Sequence, residues 1–480
     1  MTPTRRPWAL LAVSLATFMT YLDNNIVNVA MPAIQRDLGL TTSGLEWVVS
    51  SYVLVFAALL LAGGRLADAF GRRRLFLVGL GVFVGASLVA GLAGSVEVLV
   101  SARAVQGLGA ALVTPTTLAI ISDAFRDPRE RAQAVGLWAG VGALALAVGP
   151  LLGGLLAQHA SWGWIFTINV PVGLATLALG AWAIRESREE VRRPLDVPGL
   201  VLSSSALTGL TWSLIEGGER GWTSSPVLGG FALAAVAGAL FLLAERRSAA
   251  PMVDVALFRE RAFSGGLAAM MLWAFGLFGI YFFTSLYLQD VLGFSPTEAG
   301  LAFLPMALCM VAGAVVSEQV ARAVGAARLV GGAMVLMAAG IASVSLLGAD
   351  TGYWQLMPSF VLIGIGGGLV TPLTATVLAV MPTSQAGIAS GLFNASREVA
   401  GLLGITVIGA VLTGRQSASL RGGSAPVDAF LDGYRFGLLG AATLVALGGL
   451  AAYLALRTAT PAAADDELLV PAAPVPVPAG

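Results

Sequence analysis

The sequence predicts an all-α membrane protein that crosses a lipid bilayer fourteen times, with its helices divided into groups of six, two and six. Three observations support this prediction. Of the 480 residues, 57% are hydrophobic and only 11% are charged, whereas soluble domains carry about 25% charged residues. Apolar runs of roughly 20 residues, the length of helix that spans a bilayer core, recur along the whole chain. Short arginine clusters separate many of these runs.

Each apolar run ends at charged or turn-forming residues, so each is predicted to form one transmembrane helix. In chain order these spans cover residues 9–32, 47–64, 75–94, 98–121, 134–157, 164–183, 197–215, 227–244, 262–288, 299–316, 329–347, 354–380, 388–412 and 436–456. They predict an N-terminal six-helix bundle (1–186), two linker helices with connectors (187–261) and a C-terminal six-helix bundle (262–458). Residues 459–480, rich in Ala and Pro, are predicted to form a disordered cytoplasmic tail.

The arginines predict the orientation of the chain. Most of them fall on cytoplasmic loops and helix ends when the N-terminus is placed inside, so both termini are expected in the cytoplasm. All 27 basic residues are arginine, and Ala, Gly, Val and Leu abound, which is typical of a GC-rich bacterial genome. The expected location is therefore the cytoplasmic membrane of a bacterium, as a multi-pass protein.

The composition also disfavours several functions. A formal net charge of zero does not indicate a nucleic-acid partner. A single cysteine, Cys309, and a single histidine, His159, exclude a disulfide framework and clustered thiolate or imidazole metal ligands. We find no Ser/His/Asp arrangement and no phosphate-binding loop outside the predicted spans, so a membrane enzyme is disfavoured. Neither a metal nor a cofactor is expected.

Span 1 contains a carboxyl group, Asp23, deep in an apolar run. An acid at the centre of a transmembrane helix costs about 2.5 to 3.5 kcal/mol on insertion scales, so such residues usually face the protein interior and are functional. Span 4 contributes Arg103 at a similar depth, in the outer half of the membrane. Burial disfavours a charged carboxylate and a nearby guanidinium favours it, so small movements could change the protonation of Asp23. Alternatively, Asp23 only hydrogen-bonds a neighbouring helix, and Arg103 is a static partner.

Two further motifs combine glycine with charged residues or proline. The loop between spans 2 and 3 is predicted to be a conformational element in which Asp68 caps a helix or pairs with an arginine; its key residues are Gly64, Asp68, Gly71, Arg72, Arg73 and Arg74. A plain positive-inside hairpin would explain the arginines but not Asp68 or Gly71. Span 5 is predicted to kink or to pack closely at Gly149, Pro150, Gly153 and Gly154.

A weak internal repeat relates the two predicted bundles. When the two halves of the sequence are aligned, Gly71 of the first loop corresponds to Gly325. In the same alignment, Asp23 corresponds to Leu277 and Arg103 to Met357. The buried ionisable groups therefore have no counterparts in the second half, and proton chemistry is predicted to reside in the first.

Taken together and in order, these motifs resemble the major facilitator superfamily, and specifically its fourteen-helix drug:proton antiporters. Residues 164–171, 286–293 and 389–397 are also similar to stretches of that group. The resemblance implies that Asp23 is the proton-binding acid, that Arg103 modulates it, and that residues 149–154 are the segment associated with export. The chain departs from the family pattern at four positions, where Asn25, Ala69, Ala145 and Gly163 replace a threonine, a basic residue, a glycine and an arginine.

A further departure lies in span 13, where Glu398 follows Arg397 and the family commonly has an amide. Glu398 is either a second proton site or the salt-bridge partner of Arg397, and we favour the partner role.

The resemblance implies proton-driven efflux of amphipathic drugs or antibiotics, cationic or aromatic, by a monomer whose two bundles rock about a central cavity without a cofactor. The predicted cavity wall includes Asn24 and Asn28 of span 1 and Met270, Trp273, Phe278 and Tyr281 of span 9, because aromatic faces and thioethers accept varied or cationic ligands. Alternatively, these aromatic side chains face lipid. The rival functions are an exporter dedicated to one metabolite or self-made antibiotic, and a passive channel, which would not need a buried acid.

Overall fold

The computed structural model describes residues 5–188, 196–248, 251, 253, 255–379, 381 and 386–457. These residues form sixteen α-helices and no strand: α1 (Arg6–Leu38), α2 (Thr42–Phe70), α3 (Arg72–Gly91), α4 (Val96–Ala124), α5 (Pro128–His159), α6 (Trp164–Thr167), α7 (Asn169–Ala183), α8 (Val197–Arg220), α9 (Ser225–Arg247), α10 (Arg261–Leu286), α11 (Pro296–Val324), α12 (Ala326–Val344), α13 (Tyr353–Leu369), α14 (Pro372–Ala379), α15 (Ala386–Arg421) and α16 (Pro426–Leu456). The predicted tail, 459–480, lies outside the described residues.

The prediction of fourteen transmembrane helices is confirmed. In the described part of the chain, fourteen helical segments are long and apolar enough to cross a membrane. The sixth is α6 with α7, the ninth is α10 with the π-helical turn Tyr287–Val291, and the twelfth is α13 with α14. Most helices extend beyond the predicted spans, since polar residues at the bilayer surface continue the helix. Predicted spans 3 and 11, in contrast, each end three residues after α3 and α12 do.

Local hydrogen bonds explain several helix starts. Thr41, Ser95 and Asp127 begin α2, α4 and α5 by accepting hydrogen bonds from backbone N–H groups of the first turn. Ser295 and Glu298 form a capping box at the start of α11. These caps allow antiparallel neighbours to be joined by connections of only a few residues.

The helices pack as two bundles with a linker pair between them. Helix α1 packs on α5 and α7, and α4 packs on α2 and α3; in the second bundle, α10 packs on α15 and α16, and α13 packs on α11 and α12. The linker helices α8 and α9 pack on each other, and α8 also contacts α2 and α15, one helix from each bundle. Helix α9 is the most peripheral, with only Val227, Ala237 and Glu245 buried.

Large apolar side chains on the outer helix faces are exposed, among them Leu137, Leu174, Val236 and Val315. Monomeric soluble proteins rarely expose extensive apolar patches, whereas a helix in a bilayer must present them to lipid. The chain is therefore a multi-pass membrane protein.

The two bundles meet tightly at one end through α5 and α11. A Cβ atom on Gly154 would collide with the carbonyl oxygen of Pro296, and one on Gly300 would collide with the carbonyl oxygen of Pro150. Nearby, the Gln289 side-chain amide donates to the carbonyl oxygen of Val29 at 2.9 Å. Close backbone contact of this kind needs glycine. This end, formed by the C-terminal part of α5 and the start of α11, is closed.

Candidate functional site

Asp23 lies at the centre of a buried polar network in the first bundle. Its side chain is fully buried, and Arg103 Nη1 donates to its Oδ2. Its Oδ1 accepts from Gln106 Nε2 and from Asn169 Nδ2, both at 3.0 Å. Gln106 also accepts from Arg103 at 2.8 Å and donates to Ser87 at 2.7 Å. The structure therefore brings together the two residues predicted to form the proton-coupling pair.

The helices dictate this geometry. Arg103 and Gln106 are three residues apart on α4 and so share one face, and Asn169 is the first residue of α7. The Arg103 guanidinium also donates from Nε to the carbonyl oxygen of Val48 at 3.1 Å. Its Cζ lies 4.4 Å from the ring centroid of Tyr52, which is within the range of a cation–π contact. Arg103 is thus held by α1, α2 and α4 together.

The hydrogen-bond pattern suits an ionised Asp23. All three of its hydrogen-bond partners among the described residues are N–H donors, and a carboxylate only accepts whereas a carboxylic acid also donates one hydrogen bond. A proton on Asp23 would remove the negative charge that Arg103 compensates. Loss of that charge would weaken the hydrogen bonds that hold Asp23, because charge-assisted hydrogen bonds are stronger than neutral ones.

A large cavity of about 470 Å³ lies beside this network, between the two bundles. Its lining comes from α1, α2, α4, α5 and α15: Thr20, Tyr21, Asn24, Tyr52, Phe56, Leu60, Leu61, Gly64, Arg65, Asp68, Thr114, Pro115, Leu118, Trp138, Ser390, Gly391, Asn394, Arg397 and Glu398. It extends from Tyr21 and Asn24 in mid-helix to Gly64 and Asp68 near the end of α2. Tyr52 both lines the cavity and packs on Arg103, so it separates the Asp23 network from the cavity.

A second, deeper cavity of about 80 Å³ shares four lining residues with the first: Tyr21, Asn24, Arg397 and Glu398. The remaining walls are Asn25, Asn28, Val49, Leu146, Trp273, Leu277, Phe278, Tyr281, Met310 and Ile405. Five of the residues predicted to bind substrate therefore line this cavity: Asn24, Asn28, Trp273, Phe278 and Tyr281. Met270 does not line either cavity; it packs in the apolar core of the bundle, and Met310 of α11 supplies the thioether instead.

Arg397 and Glu398 form an ion pair at the junction of the two cavities. Arg397 Nη2 lies 2.6 Å from Glu398 Oε1, and the same guanidinium contacts the Tyr21 hydroxyl at 3.4 Å. Glu398 is buried, and its Oε2 has no hydrogen-bond partner among the described residues. The pairing that the sequence analysis favours is present, and a proton-exchanging role for Glu398 stays a prediction.

The loop between α2 and α3 is organised by two carboxylates. Asp68 Oδ1 accepts from Arg72 Nη2 at 2.9 Å and from Nε at 3.2 Å, so this pair closes one hairpin rather than bridging the bundles. Glu186 accepts from the backbone N–H groups of Arg73 and Arg74, both at 3.1 Å, and so satisfies the start of α3. The Arg73 side chain also donates to the carbonyl oxygen of Ala181 at 2.6 Å.

Gly71 provides a direct test of this loop. Its φ of 108° is unfavourable for any L-residue with a side chain, and a Cβ there would lie 2.6 Å from Glu186 Oε1. We expect Gly71→Ala to lower stability by about 1–3 kcal/mol, measured as thermal unfolding of the purified protein in detergent. Gly81→Ala on α3 is the matched control, since a Cβ there meets no atom within 4 Å. Equal stability of the two variants would contradict the role assigned to Gly71.

The glycines of α5 lie against helices of both bundles. A Cβ on Gly149 would lie 3.0 Å from the Cβ of Asn25, and one on Gly153 would collide with the carbonyl oxygen of Ile26, both on α1. Gly154 faces α11, as described above. Helix α5 continues through Pro150 without interruption, so close packing is the property that this motif provides.

Sequence reasoning assigned no role to several residues that the structure places in the site. Gln106 and Asn169 complete the Asp23 network, Tyr52 covers it, and Glu186 holds the loop. A signal existed for Gln106 and Asn169, because an uncharged amide inside an apolar span needs a buried partner. Glu186 lies more than one hundred residues from the loop that it caps, and the sequence contains no signal for that contact. Among the described residues, no group of three or more His, Cys, Asp or Glu side chains could hold a metal ion.

The fold and site are those of a membrane transporter: two helical bundles enclose a cavity, and a buried ionisable network lies beside it. The chain belongs to the Major Facilitator Superfamily, whose family model matches residues 13–405. It is 39% identical over 413 residues to the tetracenomycin C resistance and export protein of Streptomyces glaucescens, covering 85% of this chain and 77% of the relative. It is 35% identical to the puromycin resistance protein pur8 of Streptomyces alboniger, covering 96% and 93%.

A third relative, the multidrug efflux pump LfrA of Mycolicibacterium smegmatis, is 36% identical over 414 residues, covering 86% of this chain and 82% of the relative. Among solved structures, a bacterial homolog to the human lysosomal transporter Spinster, in an inward-facing and unoccupied conformation, matches with a TM-score of 0.67 and 17% identity, covering 96% and 98%. The POT family transporter PepTSo matches with a TM-score of 0.69 and 17% identity, covering 95% and 98%. These structural matches establish the fold alone.

Proposed function

We propose that this protein exports amphipathic drugs or antibiotics across the cytoplasmic membrane of a bacterium in exchange for protons, by alternating access. The observation that carries the proposal is the Asp23–Arg103 pair, which is fully buried beside a cavity large enough for a small molecule. A buried ion pair in a membrane is costly, and a passive channel or a structural protein does not need one. The protein acts as a monomer, without a cofactor, and the proton gradient drives it.

The described conformation corresponds to loading of the substrate. The cavity reaches the end of α2 that carries Asp68, and the arginine distribution assigns that end to the cytoplasm. The opposite end is closed by α5 and α11. With Asp23 ionised and held by three donors, substrate enters from the cytoplasm. Rocking of the bundles then opens the cavity to the outside, where Asp23 takes up a proton and the substrate leaves. The protein with protonated Asp23 then rocks back to the inward-facing conformation. There Asp23 releases its proton to the cytoplasm.

The names of the relatives support the substrate class. Resistance, export and multidrug efflux proteins at 35–39% identity include both dedicated exporters and broad pumps. An exporter dedicated to one endogenous metabolite or self-made antibiotic is therefore the second candidate. A panel of substrates separates the two, because a dedicated exporter transports one compound class and a multidrug pump transports several.

The test uses purified protein in proteoliposomes with an imposed proton gradient. A panel containing ethidium, puromycin and anthraquinone derivatives is offered, and internal accumulation is measured with and without a protonophore. We expect accumulation of at least one compound, and its loss when the protonophore collapses the gradient. Accumulation that is indifferent to the protonophore, or no accumulation of any compound, would refute proton-coupled export.

A further inference from the structure

The deep cavity carries unpartnered polar atoms of both kinds. In the described part of the chain, four of its lining residues have a buried polar atom without a hydrogen-bond partner: Asn28 Oδ1, Trp273 Nε1, Tyr281 Oη and Glu398 Oε2. The Trp273 N–H is a donor, the Tyr281 hydroxyl both donates and accepts, and the Asn28 and Glu398 oxygens are acceptors. Asn28, Tyr281 and Glu398 are each more than nine-tenths buried. Buried polar groups normally have partners, so these atoms point to a polar ligand.

The charges around the cavity argue against a permanently cationic ligand. Among the described residues that line the deep cavity, Arg397 and Glu398 are the only charged ones, and they form an ion pair with each other. Asp23 and Arg103 are paired as well, behind Tyr52. Aromatic faces attract cations, but a desolvated cation here would meet no net negative charge to compensate its lost hydration. The cavity therefore offers hydrogen bonds and aromatic faces, without a countercharge.

The two cavities together define the shape of the ligand. The deep cavity, at about 80 Å³, is too small for a multi-ring compound, whereas the adjoining cavity of about 470 Å³ accommodates one. Trp273 and Phe278 supply ring faces in the wall of the deep cavity, and Tyr21 supplies one at the junction. A flat compound can thus lie in the large cavity and place one polar edge among the four unpartnered atoms.

We infer that the deep cavity, with Trp273, Tyr281, Asn28 and Glu398, is the recognition site for uncharged polycyclic aromatic compounds that carry both a carbonyl acceptor and a hydroxyl donor. The ligand carbonyl accepts from Trp273 Nε1 and the Tyr281 hydroxyl, and the ligand hydroxyl donates to Asn28 or Glu398. This inference rests on the proposed export function and specifies its substrate class. It favours the aromatic over the cationic compounds among those expected from the sequence.

The test measures equilibrium binding to the purified protein in nanodiscs, with no gradient imposed. The probes are 2-(hydroxymethyl)anthraquinone, 2-methylanthraquinone, which lacks only the hydroxyl donor, and tetraphenylphosphonium, a lipophilic cation. We expect the hydroxymethyl compound to bind about fivefold or more tightly than the methyl compound, and tetraphenylphosphonium to bind most weakly.

The protein side of the test uses Trp273→Phe and Tyr281→Phe, which each remove one donor and keep an aromatic ring. Each should weaken binding of 2-(hydroxymethyl)anthraquinone about fivefold or more. Trp354→Phe and Tyr453→Phe are the matched controls, because these side chains are 80% and 37% exposed on outer faces and line neither cavity. The controls should bind as the wild type does. The comparison of the three ligands uses only the wild-type protein, so it remains a valid test even if a variant does not fold.

The possible results are distinct. Tighter binding of tetraphenylphosphonium than of 2-(hydroxymethyl)anthraquinone overturns the inference, as does equal binding of the two anthraquinones or wild-type affinity in both cavity variants. None of these results affects proton-coupled export, which is read from gradient-driven accumulation in proteoliposomes. Loss of accumulation together with the expected binding pattern would instead refute the export proposal and leave the binding site in place.

Discussion

Replacement of Asp23 by asparagine is expected to abolish uphill transport while leaving the cavity able to bind and exchange its substrate. A proton that crosses 100 mV supplies about 2.3 kcal/mol, and a pH difference of one unit supplies about 1.4 kcal/mol more. Under one-for-one exchange, this free energy supports a substrate gradient of a few hundred-fold. Asparagine has the size of a protonated aspartate but cannot gain or lose a proton, so the gradient should fall to about one.

The measurement separates coupling from folding. In proteoliposomes, gradient-driven accumulation requires proton exchange, whereas counterflow, the exchange of labelled for unlabelled substrate without a gradient, requires only binding and rocking. Asp23→Asn should fail in the first assay and remain active in the second. The asparagine side chain keeps one oxygen for Arg103, which also retains its contacts with Val48, Gln106 and Tyr52.

Asp428→Asn is the matched control, since Asp428 is exposed in the first turn of α16 and lines neither cavity. It should accumulate substrate as the wild type does. Full proton-driven accumulation by Asp23→Asn, in a variant that also supports counterflow, would show that another group carries the proton. Glu398 would then be the next candidate, because it is buried beside both cavities.

The sequence predicts the fold well because hydropathy is a local property. Each apolar run of about 20 residues satisfies its own backbone only as a helix in lipid, so length and charge spacing were sufficient to find all fourteen spans. Helix ends were less predictable. The predicted span that begins at Trp354 did not show the break between α13 and α14. The helix is interrupted at Val370 and Thr371, and neither residue is charged.

The site was predictable only where a residue is costly in lipid. Asp23 and Arg103 stand out because an ion in an apolar run needs a partner, and they are partners. Met270 and Met310 show the limit of this reasoning. Both are apolar residues in apolar helices, and only the tertiary arrangement of the helices decides which of them lines the cavity. The contact between Glu186 and Gly71 likewise depends on tertiary structure alone.

Removal of Arg103 is expected to destabilise the protein strongly. In Arg103→Leu, Asp23 remains fully buried with only the two amide donors of Gln106 and Asn169. Breaking a buried pair by removing one partner typically costs about 3–5 kcal/mol, because the remaining charge is uncompensated. We expect a large fall in the apparent melting temperature of the detergent-purified protein and a smaller monodisperse fraction.

The double variant Asp23→Asn, Arg103→Leu tests the cause. It removes both charges, so most of the lost stability should return, even though two residues have been changed instead of one. Its export should remain at the uncoupled level of Asp23→Asn, because neither charge is restored. A general packing defect at position 103 would persist in the double variant. Recovery of stability without recovery of coupling would therefore identify the uncompensated charge as the cause.

Arg421→Leu is the control for loss of an arginine, since Arg421 is exposed at the end of α15 and makes no contact with the network. It should unfold at the wild-type temperature. If the double variant is as unstable as Arg103→Leu alone, the destabilisation comes from lost packing of the guanidinium against Tyr52 and Phe166, which lie 4.4 and 5.4 Å from it, and not from the charge of Asp23. The pair would then be a structural contact, and Asp23 would have to exchange its proton without help from Arg103.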